Sequence, residues 1–164
     1  MRIGRIIFVA ALLICVVEMF RLWGISPQQM AAHFNAQGDP DRFVTKPEFF
    51  WFQIQTLFIV VLVSLPLQVL LLVVPPNLIN MPNREYWLAP ERKEETLGRL
   101  SDFGSLMFGV ILLAILAAFE ISVYANLQTP VHFNAGLMGA VMAVSMGVIV
   151  LMLIRLILSF RLPQ

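Results

Sequence analysis

Apolar residues run almost unbroken through four stretches of the chain, and polar residues are gathered in the connections between them. The stretches cover roughly residues 5–24, 49–74, 103–124 and 136–160. A helix of about 20 mostly apolar residues crosses the hydrocarbon core of a bilayer, so each stretch predicts one transmembrane helix. The connections are too short to hold a separate soluble domain. The expected fold class is all-α, a four-helix bundle forming a single integral membrane domain over residues 1–164. Pro66 falls inside the second stretch, where its missing N–H predicts a kink that neighbouring helices can accommodate. The first stretch follows Arg2 and Arg5, as a signal peptide would. It also carries Glu18 and Arg21, and no small-x-small site follows at once, so a retained helix is expected.

Composition agrees with this pattern and narrows the function classes. Hydrophobic residues make up 59% of the 164 positions and charged residues 13%, and the mean hydropathy is +0.83. A soluble domain is about 45–50% apolar and about 25% charged, which excludes a soluble globular enzyme, a disordered tail and a nucleic-acid-binding domain. The implied partner is the lipid bilayer. The formal net charge of +1 supplies no basic field for nucleic acid. Cys15 is the one cysteine, so no internal disulfide can form.

The placement of the few charges predicts an orientation. With four spans, the N-terminus, the second connection and the C-terminus share one side, and they hold Arg2, Arg5, Arg84, Arg92, Lys93, Arg99, Arg155 and Arg161. The other side holds Arg21, Arg42 and Lys46. The Lys/Arg excess belongs in the cytoplasm, so both termini are expected inside and the first and third connections outside. Trp23, Trp51 and Tyr124 then fall near the outer boundary, and Tyr86 and Trp87 near the inner one, as amphipathic rings prefer.

A tetrapeptide occurs twice in the outward connections: His33-Phe34-Asn35-Ala36 and His132-Phe133-Asn134-Ala135. Each copy follows a span bearing one glutamate, with 15 residues from Glu18 to His33 and 12 from Glu120 to His132. One helical hairpin used twice in the same orientation would produce this pattern, as in parallel membrane repeats. Small residues spaced by four, Gly139, Ala143 and Gly147 on the last span and Ser101, Ser105 and Gly109 on the third, mark faces for close helix approach. The spacing fits packing within the chain, a homo-oligomer or a membrane protein partner. Met138, Met142 and Met146 read as flexible apolar packing rather than a copper path.

In the first outward connection Gly38 can take a positive φ, and Asp39-Pro40-Asp41 supplies a proline-fixed turn between capping carboxylates. Asn35, Gln37, Asp39 and Asp41 alternate as in a calcium loop. Pro40 stands where an EF-hand requires glycine, however, and Lys46 where it requires glutamate, so a turn capping the second span is expected. The run His33-Phe34-Asn35-Ala36-Gln37-Gly38-Asp39-Pro40-Asp41, with Lys46 following, resembles the signature of a bacterial membrane domain of unknown function. That domain also forms the N-terminal part of immunity and signalling proteins acting against the sporulation-delaying toxin. Asn80-Met81-Pro82-Asn83 and Tyr86-Trp87-Leu88-Ala89-Pro90-Glu91-Arg92 are similar to a segment of its stand-alone members. The likeness spans roughly the first hundred residues. It departs from the family at Ala31, where a proline often precedes the histidine by two positions; Pro130 keeps that position before His132. The large immunity proteins carry further helices that this sequence lacks. The resemblance implies a multi-pass protein of the bacterial inner membrane.

Glu18 and Glu120 are the acidic residues inside the predicted spans, where an ionised carboxylate needs pairing, water or a function. Arg21, three residues after Glu18, can pair with it along one helix face. A sharper arrangement would bring Glu18, Glu120, His33 and His132 together as a divalent-metal or proton-relay site. The second connection mixes acids and bases, and Pro90 before Glu-Arg-Lys-Glu-Glu suits the start of a helix leading into the third span. No phosphate loop, nucleophile elbow, CxxC or HExxH motif is present, so no catalysis and no cofactor are expected. Binding of a peptide, ion or partner protein by the outward loops, a small carrier using the glutamate pair, and an accessory subunit of a larger complex all remain open.

Overall fold

The computed structural model describes residues 3–162, apart from the side chains of 66–69 and 71–72. Four long helices, each long and apolar enough to cross a membrane, follow the four apolar stretches: α1 (Ile3–Ile25), α2 (Lys46–Val73), α4 (Lys93–Asn126) and α5 (Ala135–Ser159). They mark a multi-pass membrane protein. The backbone of α2 is helical through Pro66; the proline's packing, and Arg2 among the basic residues, lie outside the described residues. The third span is longer than its apolar part. Its first ten residues are the polar run expected to lead into it, so α4 extends about 50 Å as one rod.

The helices fit the expected all-α bundle, and the connection between α1 and α2 adds a small two-stranded sheet to it. Strand β1 (Gln29–Phe34) pairs antiparallel with β2 (Pro40–Thr45), Met30 facing Val44 and Ala31 facing Phe43, with a register shift between Ala31 and Phe34. These strands have little of the β-branched, alternating character that announces a hairpin. The turn makes the hairpin possible: Gly38 sits at φ +88°, and the Asn35 side chain accepts from the Gln37 and Asp39 amides at 2.9 Å each. The second span is capped, but not by the Asp39-Pro40-Asp41 turn as expected, which belongs to the hairpin. Thr45 and Glu48 form a reciprocal capping box at the start of α2.

Helix α4 is the spine, with α1, α2 and α5 packed around it. Phe8, Ala11 and Cys15 of α1 meet Leu57 of α2 and Phe108, Leu112 and Leu116 of α4 in one core. Nearer the hairpin, Leu22, Met30, Phe50, Phe119 and Val123 form a second. Ser101, Ser105 and Gly109 are buried against α1, where a Cβ on Gly109 would stand 3.3–3.4 Å from Ile7 and Phe8. This small-residue stripe serves packing within the chain. At the far end Asp102 of α4 accepts hydrogen bonds from the Gly4 and Arg5 amides at 3.0 and 3.4 Å, capping α1 from outside its own sequence.

Helix α5 packs differently: it leans on α4, and none of its residues is buried. Nothing lies within 4 Å of where a Cβ would stand on Gly139 or Gly147. Met142 and Met146 are more than half exposed, so the methionine stripe covers the outside of α5 instead of filling a gap inside the chain.

The connection between α2 and α4 is more than a solvated linker. It holds a 3-10 turn (Pro76–Leu78) and the one-turn helix α3 (Arg84–Trp87), with Ile79, Leu88 and Leu97 in a small core of their own. Asn83 Nδ2 and Trp87 Nε1 both donate to the Phe160 carbonyl, at 2.9 and 2.8 Å, which ties down the C-terminal end of α5.

Candidate functional site

The two copies of the tetrapeptide adopt different conformations and meet face to face. His33 and Phe34 belong to β1, whereas His132 and Phe133 lie in the irregular segment before α5. Their phenyl rings stack with centroids 4.9 Å apart. The Phe133 amide donates to the Gly38 carbonyl at 2.8 Å. His132 Nδ1 lies 3.5 Å from Asp39 Oδ1, and His33 Nδ1 lies 2.6 Å from Asp41 Oδ1. A carboxylate only accepts hydrogen bonds, so Nδ1 is the donor in the His33–Asp41 pair. Pro40 holds the two aspartates apart, so that each meets a different histidine.

The asparagines play parallel parts. Asn35 Oδ1 holds the hairpin turn, and Asn134 Oδ1 accepts from the Leu137 amide at 2.8 Å as the N-cap of α5. The duplicated motif is therefore chemistry used twice in two backbone settings: a histidine on an aspartate, a phenylalanine in the shared stack and an asparagine on free amides.

Beneath this cap Glu18 of α1 and Glu120 of α4 share one cation. Arg21 Nε bonds to Glu18, Nη2 to Glu120 at 3.1 Å and Nη1 to the Tyr124 hydroxyl at 3.0 Å. The Glu18–Arg21 pair is the one its spacing predicts; the reach across to Glu120 and Tyr124 is not visible in sequence. The four residues considered for a metal or proton relay are thus divided, with Glu18 and Glu120 bonded to Arg21, His33 bonded to Asp41 and His132 beside Asp39. Among the described residues no group of three or more His, Cys, Asp or Glu side chains is placed to hold a metal ion.

Two further residues seat the cap. Asn126, buried at the end of α4, accepts from the Ala31 amide at 2.5 Å and donates to the Ala31 carbonyl at 3.1 Å. Its carboxamide takes the place of a neighbouring strand along the open edge of β1. Lys46, 7% exposed, folds back so that Nζ donates to the Ser26 carbonyl at 3.0 Å and lies 4.8 Å from the Trp23 ring centre. That places a cation at the C-terminal end of α1, where the helix dipole favours it. Asn126 is a polar residue where an apolar run ends, and Lys46 a cation just before one begins; no further sequence signal marks either role.

Residues 6–57 match the family described as Domain of unknown function (DUF1648). The match takes in α1, the β-hairpin with its histidine, glycine and aspartates, and the first half of α2. It covers about a third of the chain and stops short of the 80–92 run that resembles stand-alone members. No curated protein and no solved structure matches the chain.

Proposed function

We propose that this chain is a non-enzymatic module of a bacterial inner membrane, with both termini cytoplasmic, whose two outward loops form one binding cap for a peptide or partner protein. The observation that carries this reading is the interlock of the loops through the Phe34–Phe133 stack, the Phe133–Gly38 backbone hydrogen bond and His132 beside Asp39. Its order is in place before any partner arrives, so little loop entropy remains to be lost on binding. The exposed strand β2 offers Asp41, Arg42 and Phe43 to solvent; Phe43 is 53% exposed, beyond what the bundle needs. The basic residues support this sidedness, because the end opposite the cap gathers seven of the ten Lys and Arg among the described residues.

A photo-crosslinking side chain at Phe43 in cells tests the reading. A defined polypeptide should be captured there, and not from Val148 on α5, and Gly38→Val should abolish the capture while the protein still inserts. Failure to capture at Phe43, or capture unaffected by Gly38→Val, rejects the cap as the binding surface.

The bareness of α5 favours a second, compatible reading, in which the module works within a larger assembly. Its Gly139, Ala143 and Gly147 face is unoccupied by this chain. Bulky substitution there, Gly139→Leu with Gly147→Leu, should dissociate a homo-oligomer or partner complex in mild detergent. An unchanged assembly size rejects that face.

A further inference from the structure

A cleft of about 420 Å³ separates the hairpin-end half of α4 from the first turns of α5. Its volume falls within the range of small-molecule sites, about 300–1,000 Å³. The lining differs between its two walls. Glu120 and Tyr124, four apart on one face of α4, line it together with Gln128 and His132 of the connection that follows. Leu137 and Val141, four apart on α5, close the other wall with apolar carbon. A ligand filling it meets polar groups on α4 and the connection and apolar carbon on α5, which suits an amphipathic membrane lipid entering from the side.

Charge selects the head group. Arg21 is one guanidinium serving both Glu18 and Glu120, so the cluster beside the cleft keeps one negative charge in excess. Across the whole cap end, Arg21, Arg42 and Lys46 face Glu18, Asp39, Asp41, Glu48 and Glu120, and Lys46 is already committed to the Ser26 carbonyl. An anionic head group would be repelled there. Glu120 meets Arg21 through Oε1, leaving Oε2 to accept from a donor in the cleft. A carboxylate at bilayer depth gains from a second cation. We infer that the cleft binds a phospholipid with a primary ammonium head group, the ammonium on Glu120 and an acyl chain along Leu137 and Val141. The N–H donors of the ammonium separate this lipid from its quaternary choline counterpart, which has none.

Native mass spectrometry of the purified full chain tests this, using phosphatidylethanolamine, phosphatidylcholine and phosphatidylglycerol with identical acyl chains at equal concentration. Adducts of the ethanolamine lipid should be retained several-fold over the glycerol lipid, with the choline lipid between. Glu120→Gln should reduce the ethanolamine lipid to the level of the glycerol lipid. Val141→Trp, which fills the apolar half without changing a charge, should reduce retention of all three. Equal retention of the three lipids by the unaltered chain, or a preference that survives Glu120→Gln, overturns the assignment; so does retention unaffected by Val141→Trp. If Glu120→Gln fails to fold, the unaltered chain and Val141→Trp still decide.

Discussion

Phe34 and Phe133, 99 positions apart in sequence, stack with planes 24° from parallel and centroids 4.9 Å apart. The stack joins a strand to an irregular loop, two segments with no shared backbone geometry. An offset aromatic pair contributes about 0.5–1.5 kcal/mol beyond the area it buries. Here it also sets the approach that lets the Phe133 amide reach the Gly38 carbonyl.

Gly38 is where this interlock is most easily broken. Its φ of +88° disfavours any side chain, and a Cβ there would stand 2.5 Å from the Phe133 carbonyl oxygen and 2.9 Å from the His132 ring. Gly38→Ala should cost about 1–3 kcal/mol in backbone strain before the clash is counted. At about 2–4 °C per kcal/mol for a chain of this size, thermal unfolding in detergent should register the change. Amide exchange should accelerate in residues 29–45 and 129–135 together. Acceleration confined to the hairpin would mean that the loops are independent.

Asn126 gives a separate handle on the same cap. Asn126→Leu keeps the bulk but leaves the buried Ala31 amide and carbonyl without partners, at about 1–3 kcal/mol for each unsatisfied group. Loss of the hairpin's exchange protection with the α1–α4 core intact is the expected pattern. Protection equal to that of the unaltered chain would show that Asn126 does not hold the hairpin.

The four helices were legible because the apolar runs are long and the bilayer constraint is severe. The hairpin was not, because its register depends on Gly38 and Asn35 in the turn and on Asn126 some ninety residues away. Of the site, the motif residues were legible as a duplication, and the Glu18–Arg21 pair as a helical spacing. That the copies would face each other, and that Arg21 would also take Glu120, depends on the α1–α4 packing that Ser101, Ser105 and Gly109 permit. The small-residue stripe pointed to a close approach without naming the partner helix. The conformational difference between the two motif copies had no sequence signal, since the same four residues form both.

Arg21 should be indispensable only while both carboxylates are present. Arg21→Met removes the one cation shared by Glu18 and Glu120 and leaves two like charges near each other at bilayer depth, which is more damaging than losing the whole cluster. The melting temperature should fall by several degrees for Arg21→Met and recover in the triple variant with Glu18→Gln and Glu120→Gln. If the triple variant is no more stable than Arg21→Met alone, the cluster is not held by charge pairing.

The far end of the bundle carries a test of the α1–α4 contact that leaves the cap untouched. Asp102 caps α1 through the Gly4 and Arg5 amides, and a Cβ on Gly4 would overlap the Asp102 backbone carbonyl. Asp102→Ala removes the cap at about 0.5–2 kcal/mol, while Asp102→Asn keeps an acceptor oxygen and should cost less. Gly4→Ala forces the helices apart, an overpacking cost of about 1–3 kcal/mol. Because the obstacle is backbone, adding Asp102→Ala should not relieve it. Thermal unfolding of the single and double variants should therefore show the two losses persisting together. A double variant as stable as Asp102→Ala alone would mean that Gly4 meets the Asp102 side chain instead, and that α1 sits lower on α4 than the capping geometry requires.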